Sequence, residues 1–193
     1  MTTVFTHMTM SLDGFIADPD DRIDHIFDWF DAGDVPVSTA NPDISMRVDV
    51  ASADLLRHLT GRAGALVSGR RLFDITDGWG DNHPVGAPVV VVTHRPPDDP
   101  GRWPRTTFVG DVAESIARAR EIAGDKDVTI ASASIAQQAL RLGLVDEVAV
   151  SLTPVLLGAG IPYFASLGTL VLLEDPLVVE GRRAVHLRYP VRR

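Results

Sequence analysis

Between residues 128 and 164 the period of the apolar positions changes twice. A β-rich run at 128–131 ends in Ser132, Ala133 and Ser134, after which Ile135, Ala136, Ala139, Leu140 and Leu142 recur at helical spacing as far as Gly143. Asp146 and Glu147 turn the chain into a second apolar run at 148–152, and a loop with Leu157, Gly158, Ala159 and Gly160 follows. The pattern predicts strand, helix, strand, loop. Small residues at a strand exit leave backbone N–H groups and the positive end of a helix dipole at one edge of a sheet, where an anionic group can sit. Ser134 acting only as a helix cap accounts for the same residues.

The rest of the chain repeats the theme. Alternation at 2–11 predicts a first strand, and Ile23, Ile26, Phe27, Trp29 and Phe30 predict a short amphipathic helix within 18–34. Residues 35–49 hold two prolines without a period and are predicted as a loop. A helix opens at Ser52 with Leu55, Leu56 and Leu59 on one face and closes at Gly61, a short buried strand covers 64–67, and a second helix follows Ser68, Gly69, Arg70 and Arg71, with Leu72 and Phe73 turned inward. Residues 77–80 are a Gly-rich turn. Four valines at 89–92 predict a strand buried on both faces, so helices must cover both sides of the sheet. A Pro/Asp-rich loop at 95–104 leads to a strand at 106–109. Asp111 and Glu114 then open a helix through Ile116, Ala117, Ile122 and Ala123 that ends at Gly124. Three β-like runs at 169–174, 176–180 and 184–189 finish the chain. Alternating strands and helices without a linker predict one α/β domain over 1–193, with a mainly parallel central sheet and a C-terminal antiparallel hairpin.

Composition narrows the function. A formal charge of −8 argues against nucleic acid or an anionic membrane as a partner, so basic side chains must act locally. The chain has no cysteine, which excludes disulfides, thiolate nucleophiles and Cys-based zinc sites. Six scattered histidines lack ligand spacing, so no metal is expected. No membrane-spanning run or basic leader is present, and a cytoplasmic protein acting on a small molecule is expected. Gly158 and Gly160 lack the third glycine of a Rossmann fingerprint, and a simple turn explains them equally well.

Four motifs occur in order: Met10-Ser11-Leu12-Asp13-Gly14-Phe15-Ile16-Ala17, Gly69-Arg70-Arg71, Thr93-His94-Arg95, and IAQQ…GLVDE…PVLLGAGIP…F. Together they resemble the dihydrofolate-reductase-like family, in the branch of the riboflavin-biosynthesis reductase domain. The resemblance implies a three-layer α/β/α fold and hydride transfer from NADPH to a small heterocyclic or carbonyl substrate, with 5-amino-6-(5-phosphoribosylamino)uracil reduction as the named reaction. It places Ile16, Ala17, Gly158 and Gly160 near the nicotinamide, and Gly69, Arg70 and Arg71 on the cofactor phosphates. Thr93, His94 and Arg95 fall at the adenosine ribose, where Arg95 would favour NADPH over NADH. Ala131, Ser132, Ala133 and Ser134 fall at the pyrophosphate. It also implies a homodimer through the C-terminal strands, with 170–179 as the apolar surface. Ala131-Ser132 stands where the family has Gly-Gly, and Leu72 where it has Thr. These departures keep open a non-catalytic dimeric relative that binds a nucleotide-like ligand. Hydride transfer needs a proton source, and Asp13, at the end of the first strand, is the candidate catalytic acid; Asp-Gly is also an ordinary turn.

Overall fold

The computed structural model describes residues 2–165 and 167–193. Strand β1 (Val4–Ser11) runs through the middle of the sheet, and its alternation divides the molecule into two faces. Val4 joins the large core beneath helices α3 (Val112–Ala123) and α4 (Ala133–Arg141), while Phe5 points the other way, onto Leu55 and Leu59 of α1 (Val50–Arg62). Helix α2 (Arg70–Ile75) is short and turns Phe73 inward.

After β1 come β2 (Phe15–Ala17), β3 (Val35–Ser38), β4 (Ser45–Val48), β5 (Ala63–Gly69), β6 (Val89–Val92) and β7 (Thr106–Val109). The later strands are β8 (Asp127–Ala131), β9 (Glu147–Thr153), β10 (Ile161–Pro162), β11 (Leu177–Gly181) and β12 (Ala184–Pro190). Among the described residues the main sheet has eight strands in the order β11-β12-β9-β1-β8-β5-β6-β7. Its six inner and right-hand strands, β9 through β7 in that order, pair in parallel, and β11 and β12 add an antiparallel hairpin. The valine run behaves as its composition requires: Val90 belongs to the core under α3, and Val89 and Val91 belong to the opposite cluster with Phe73 and Trp103.

Several boundaries differ from the sequence expectation. Residues 35–49 are not a loop: β3 and β4 pair as a hairpin that buries Val37, Met46 and Val48 against Trp29. Pro36 and Pro42 hid the period of two. Helix α1 starts at Val50 rather than Ser52, because Asp49 caps it by accepting the Ser52 amide at 3.1 Å. The expected helix within 18–34 is a 3-10 segment, Asp24–Asp31, that buries Ile26 and Trp29 and leaves Ile23 out. Ala117 and Leu142 face solvent, and 169–174 forms no strand, only a Leu173–Val191 bridge. Ser134 does not cap α4. Ser132 is the N-cap residue, and its side chain makes no capping bond.

Under α1 a line of polar side chains crosses the sheet. His7 Nε2 lies 3.0 Å from Ser151 Oγ, which lies 2.8 Å from His186 Nδ1; His186 Nε2 lies 3.0 Å from Ser52 Oγ, which donates to Asp49 at 2.7 Å. Burial lowers the His186 pKa from 6.5 to about 4. The folded state therefore disfavours the proton that the unfolded chain takes up below 6.5. This contribution is fully present above pH 6.5 and is lost as pH falls from 6.5 toward 4, by about 3 kcal/mol in total. Urea unfolding at pH 7 and pH 4.5 checks this: His186→Gln is expected to be less stable than wild type at pH 7 but to lose less on acidification. An equal loss in both proteins would remove His186 as the cause.

Candidate functional site

Parallel strands release their C-terminal ends at one edge, and here that edge gathers most of the residues singled out in the sequence. β5 ends at Gly69, β6 is followed by Thr93, β8 by Ser132, and β1 ends at Ser11. Strand order reverses direction around β8 and β1, the position where ligands of open α/β sheets bind.

A cleft of about 760 Å³ opens at the β5 and β6 exits, lined by Arg70, Thr93, His94, Arg95, Pro96, Pro97 and Asp98. Arg70 is fixed by Nε on Asp74 at 2.7 Å and by Nη1 on the Arg95 carbonyl. The Thr93 hydroxyl accepts the Arg95 amide at 3.1 Å, so the loop is shaped by its own polar groups. Among the described residues the exposed Arg95 guanidinium makes no hydrogen bond, which leaves its fork available to an anion. The β5 and β8 exits touch: a Cβ on Gly69 would lie 2.9 Å from Ser132 Oγ. Ser132 and Ala133 are buried, Ala131 half-buried and Ser134 exposed, with the two serine hydroxyls 3.4 Å apart.

The second half of the site is built around the β1 exit. β2 pairs with β10, Ile161 opposite Ala17, and Gly160 packs so closely that a Cβ there would lie 2.1 Å from the Ala17 carbonyl oxygen. Gly160 has φ +157° and Gly158 φ +73°, the second in the left-handed region that favours glycine. Gln137 of α4 donates to the carbonyls of Pro162 and Tyr163 at 3.2 and 3.0 Å, joining this small sheet to the helix. Ala17 and Gly160 are thus in contact beside α4, with Ile16 and Gly158 one and two residues away along the chain.

Asp13 is placed at the right strand end but in a different part. Its carboxylate accepts from Ser11 Oγ at 2.6 Å, from the Gly158 amide at 2.7 Å and from the Leu157 amide at 3.2 Å. The Ser11 hydroxyl first, and the two amides after it, hold its pKa below the ordinary carboxylate value. The same contacts make Asp13 a clamp between the β1 turn and the 157–160 loop. Arg71 stands next to Arg70 at the start of α2. It does not line the cleft but pairs with Asp21 at 2.6 Å.

Sequence reasoning missed Ser11, Gln137 and Asp21. Ser11 sits two residues before Asp13, a spacing at which a hydroxyl can reach the carboxylate; Gln137 stands in the IAQQ motif, but no local pattern marks its partners or that of Asp21, which lie 25 or more residues away. Among the described residues no group of three His, Asp or Glu side chains is placed to hold a metal, and no helix is long and apolar enough to cross a membrane.

No curated protein matches the chain. Solved structures do. A putative riboflavin biosynthesis protein from Shewanella sp. PV-4 superposes with a TM-score of 0.74 at 24% identity, with both chains covered in full. The riboflavin biosynthesis reductase Rib7 of Saccharomyces cerevisiae gives 0.63 at 13% identity, covering 99% of this chain and 90% of that one. A diaminohydroxyphosphoribosylaminopyrimidine deaminase/5-amino-6-(5-phosphoribosylamino)uracil reductase from Thermotoga maritima gives 0.61 at 13% identity, and there this chain spans only 57% of the longer protein. At these identities the likeness establishes the fold, the dihydrofolate-reductase-like α/β arrangement. A family model described as the RibD C-terminal domain matches residues 2–180, and the chain belongs to that family.

Proposed function

We propose that the protein is a reductase that moves a hydride from NADPH to a small heterocyclic or carbonyl substrate, with the reduction of 5-amino-6-(5-phosphoribosylamino)uracil as its best-fitting reaction. The observation that carries this reading is the meeting, on a chain of the RibD C-terminal domain family, of Arg70, Arg95 and the β5, β6 and β8 exits at one sheet edge. The donor set suits a phosphorylated dinucleotide. Arg95 offers an unengaged guanidinium for a ribose phosphate, Arg70 adds charge beside it, and among the described residues no side chain caps the first-turn amides of α4.

Bound NADPH would supply the hydride, both electrons going to the acceptor carbon of a C=N or C=O group while its heteroatom takes a proton. Ala17, Gly158 and Gly160 would border the reacting faces, and Asp13 keeps the 157–160 loop in place. We propose a water at this edge as the proton source, since Ser11 and two loop amides already occupy the Asp13 carboxylate. Asp13→Asn loses the acceptor for one loop amide. It is expected to raise KM severalfold while leaving the pH–rate profile unchanged; loss of one limb of that profile would restore Asp13 as the acid.

NADPH fluorescence quenching on mixing tests binding, and substrate-dependent NADPH oxidation tests the reaction. Binding without oxidation would favour the second reading, a non-catalytic relative that holds a nucleotide-like ligand. That reading draws on Ser132, whose side chain occupies the space beside Gly69. A homodimer is part of the proposal too: Leu170, Leu172 and Val178 stand 81%, 50% and 50% exposed near the C-terminal hairpin. Light scattering is expected to give the mass of two chains, and a monomer would remove this part.

A further inference from the structure

The Arg71–Asp21 pair joins the two halves of the site. Arg71 directly follows Arg70 of the cleft wall, and Asp21 lies four residues past Ala17 in the half of the site built around the β1 exit. Arg71 donates from Nη2 at 2.6 Å and from Nε at 3.0 Å to one oxygen, Asp21 Oδ2. The loop around Asp21 is shaped by its own polar groups. Asp18 accepts the amides of Asp20 and Arg22 at 2.8 and 2.9 Å, and Arg22 spends its own charge on Asp18 and Asp20. Asp21, at φ +64°, is left pointing its carboxylate at a guanidinium 50 residues along the chain. Arg70, next to Arg71, is already committed to Asp74 and to the Arg95 carbonyl. Of the two consecutive arginines, Arg71 is the one whose partner can be exchanged without undoing the cleft wall.

We propose that Asp21 is an internal stand-in for a cofactor phosphate, an autoinhibitory latch on Arg71 that an incoming dinucleotide must displace. The guanidinium fork serves a carboxylate and a phosphate with the same N–H groups, so the two compete for it. Arg71 is 66% exposed and Asp21 24%, which makes the latch weak: it raises the concentration needed for binding rather than closing the site. The inference rests on the coenzyme reading above.

The test measures NADPH affinity by fluorescence, and inorganic pyrophosphate affinity by competition with it, for wild type, Asp21→Asn, Arg71→Ala and the double variant. Asparagine tolerates the left-handed backbone at this position, so Asp21→Asn is expected to keep the fold. It should bind both probes roughly two- to fivefold more tightly than wild type, the range an exposed ion pair can contribute. In the Arg71→Ala background the same substitution should change nothing, which separates a latch from a general loss of negative charge. Wild-type binding that Asp21→Asn leaves unchanged or weakens would overturn the latch and spare the coenzyme reading. An equal gain with and without Arg71 would also overturn it. Absence of NADPH binding in wild type and Asp21→Asn alike would overturn both.

Discussion

Arg95→Ala is expected to weaken NADPH binding by about 100-fold while changing NADH binding by less than about twofold. A charge-assisted hydrogen bond from guanidinium to phosphate contributes roughly 1.5–3 kcal/mol, and 100-fold corresponds to about 2.7 kcal/mol. NADH lacks the 2′-phosphate, so it has little to lose. The loop should survive the substitution, because Thr93 holds the Arg95 backbone and the rings of Pro96 and Pro97 restrict the next two φ angles, none of which needs the Arg95 side chain. Arg95→Lys is expected to recover only part of the affinity, since an ammonium cannot make a two-pronged contact. Fluorescence titration of both coenzymes decides the matter: equal weakening of the two would mean that Arg95 shapes the cleft instead of reading the phosphate.

The largest stability effect is expected far from this edge. Arg62, at the end of α1, donates from Nε to Asp127 of β8 at 2.6 Å and from Nη1 to Glu147 of β9 at 3.0 Å, and its guanidinium lies 4.4 Å from the centre of the Phe5 ring. The three side chains are 14–18% exposed, so they are poorly hydrated, and Arg188 shares Glu147 at 2.9 Å. Arg62→Ala strands Asp127 without a cationic partner and removes the stacking on Phe5. Asp127 still accepts the Thr3 amide at 2.8 Å, which moderates the loss. The expected cost is about 3 kcal/mol, at the lower end for breaking a buried pair. For a chain of this size that is a fall in Tm of roughly 6–12 °C, readable by calorimetry. Arg62→Met, which keeps much of the apolar contact, should lose less if the stem matters; an equal fall would assign the whole effect to charge.

How far the sequence could be read depended on the range over which each feature is determined. Val89 to Val92, Asp111 with Glu114, and the run from Val128 to Thr153 are set by neighbours a few residues away, and the structure has the strands and helices they predict, though not Leu142 on the inner face or Ser134 as the cap. The β3–β4 hairpin was missed because Pro36 and Pro42 mask an alternation whose burial depends on Trp29 in another segment. The strand exits were legible as one edge, since parallel strands leave a sheet on the same side. The directions of Arg71 and Asp13 were not. A side chain's partner is chosen by tertiary placement, and Asp21 and Gly158 lie 50 and 145 residues from the groups they meet.

The central position of β1 has a consequence for synthesis on the ribosome. Its neighbours in the sheet are Val4 against Val128 and Ser11 against Thr153, so β1 has no sheet partner until residues more than a hundred positions later are translated. At roughly 5–20 residues per second that wait is on the order of ten seconds. During it an apolar segment stays uncovered, and a chaperone that holds nascent chains has its longest opportunity there.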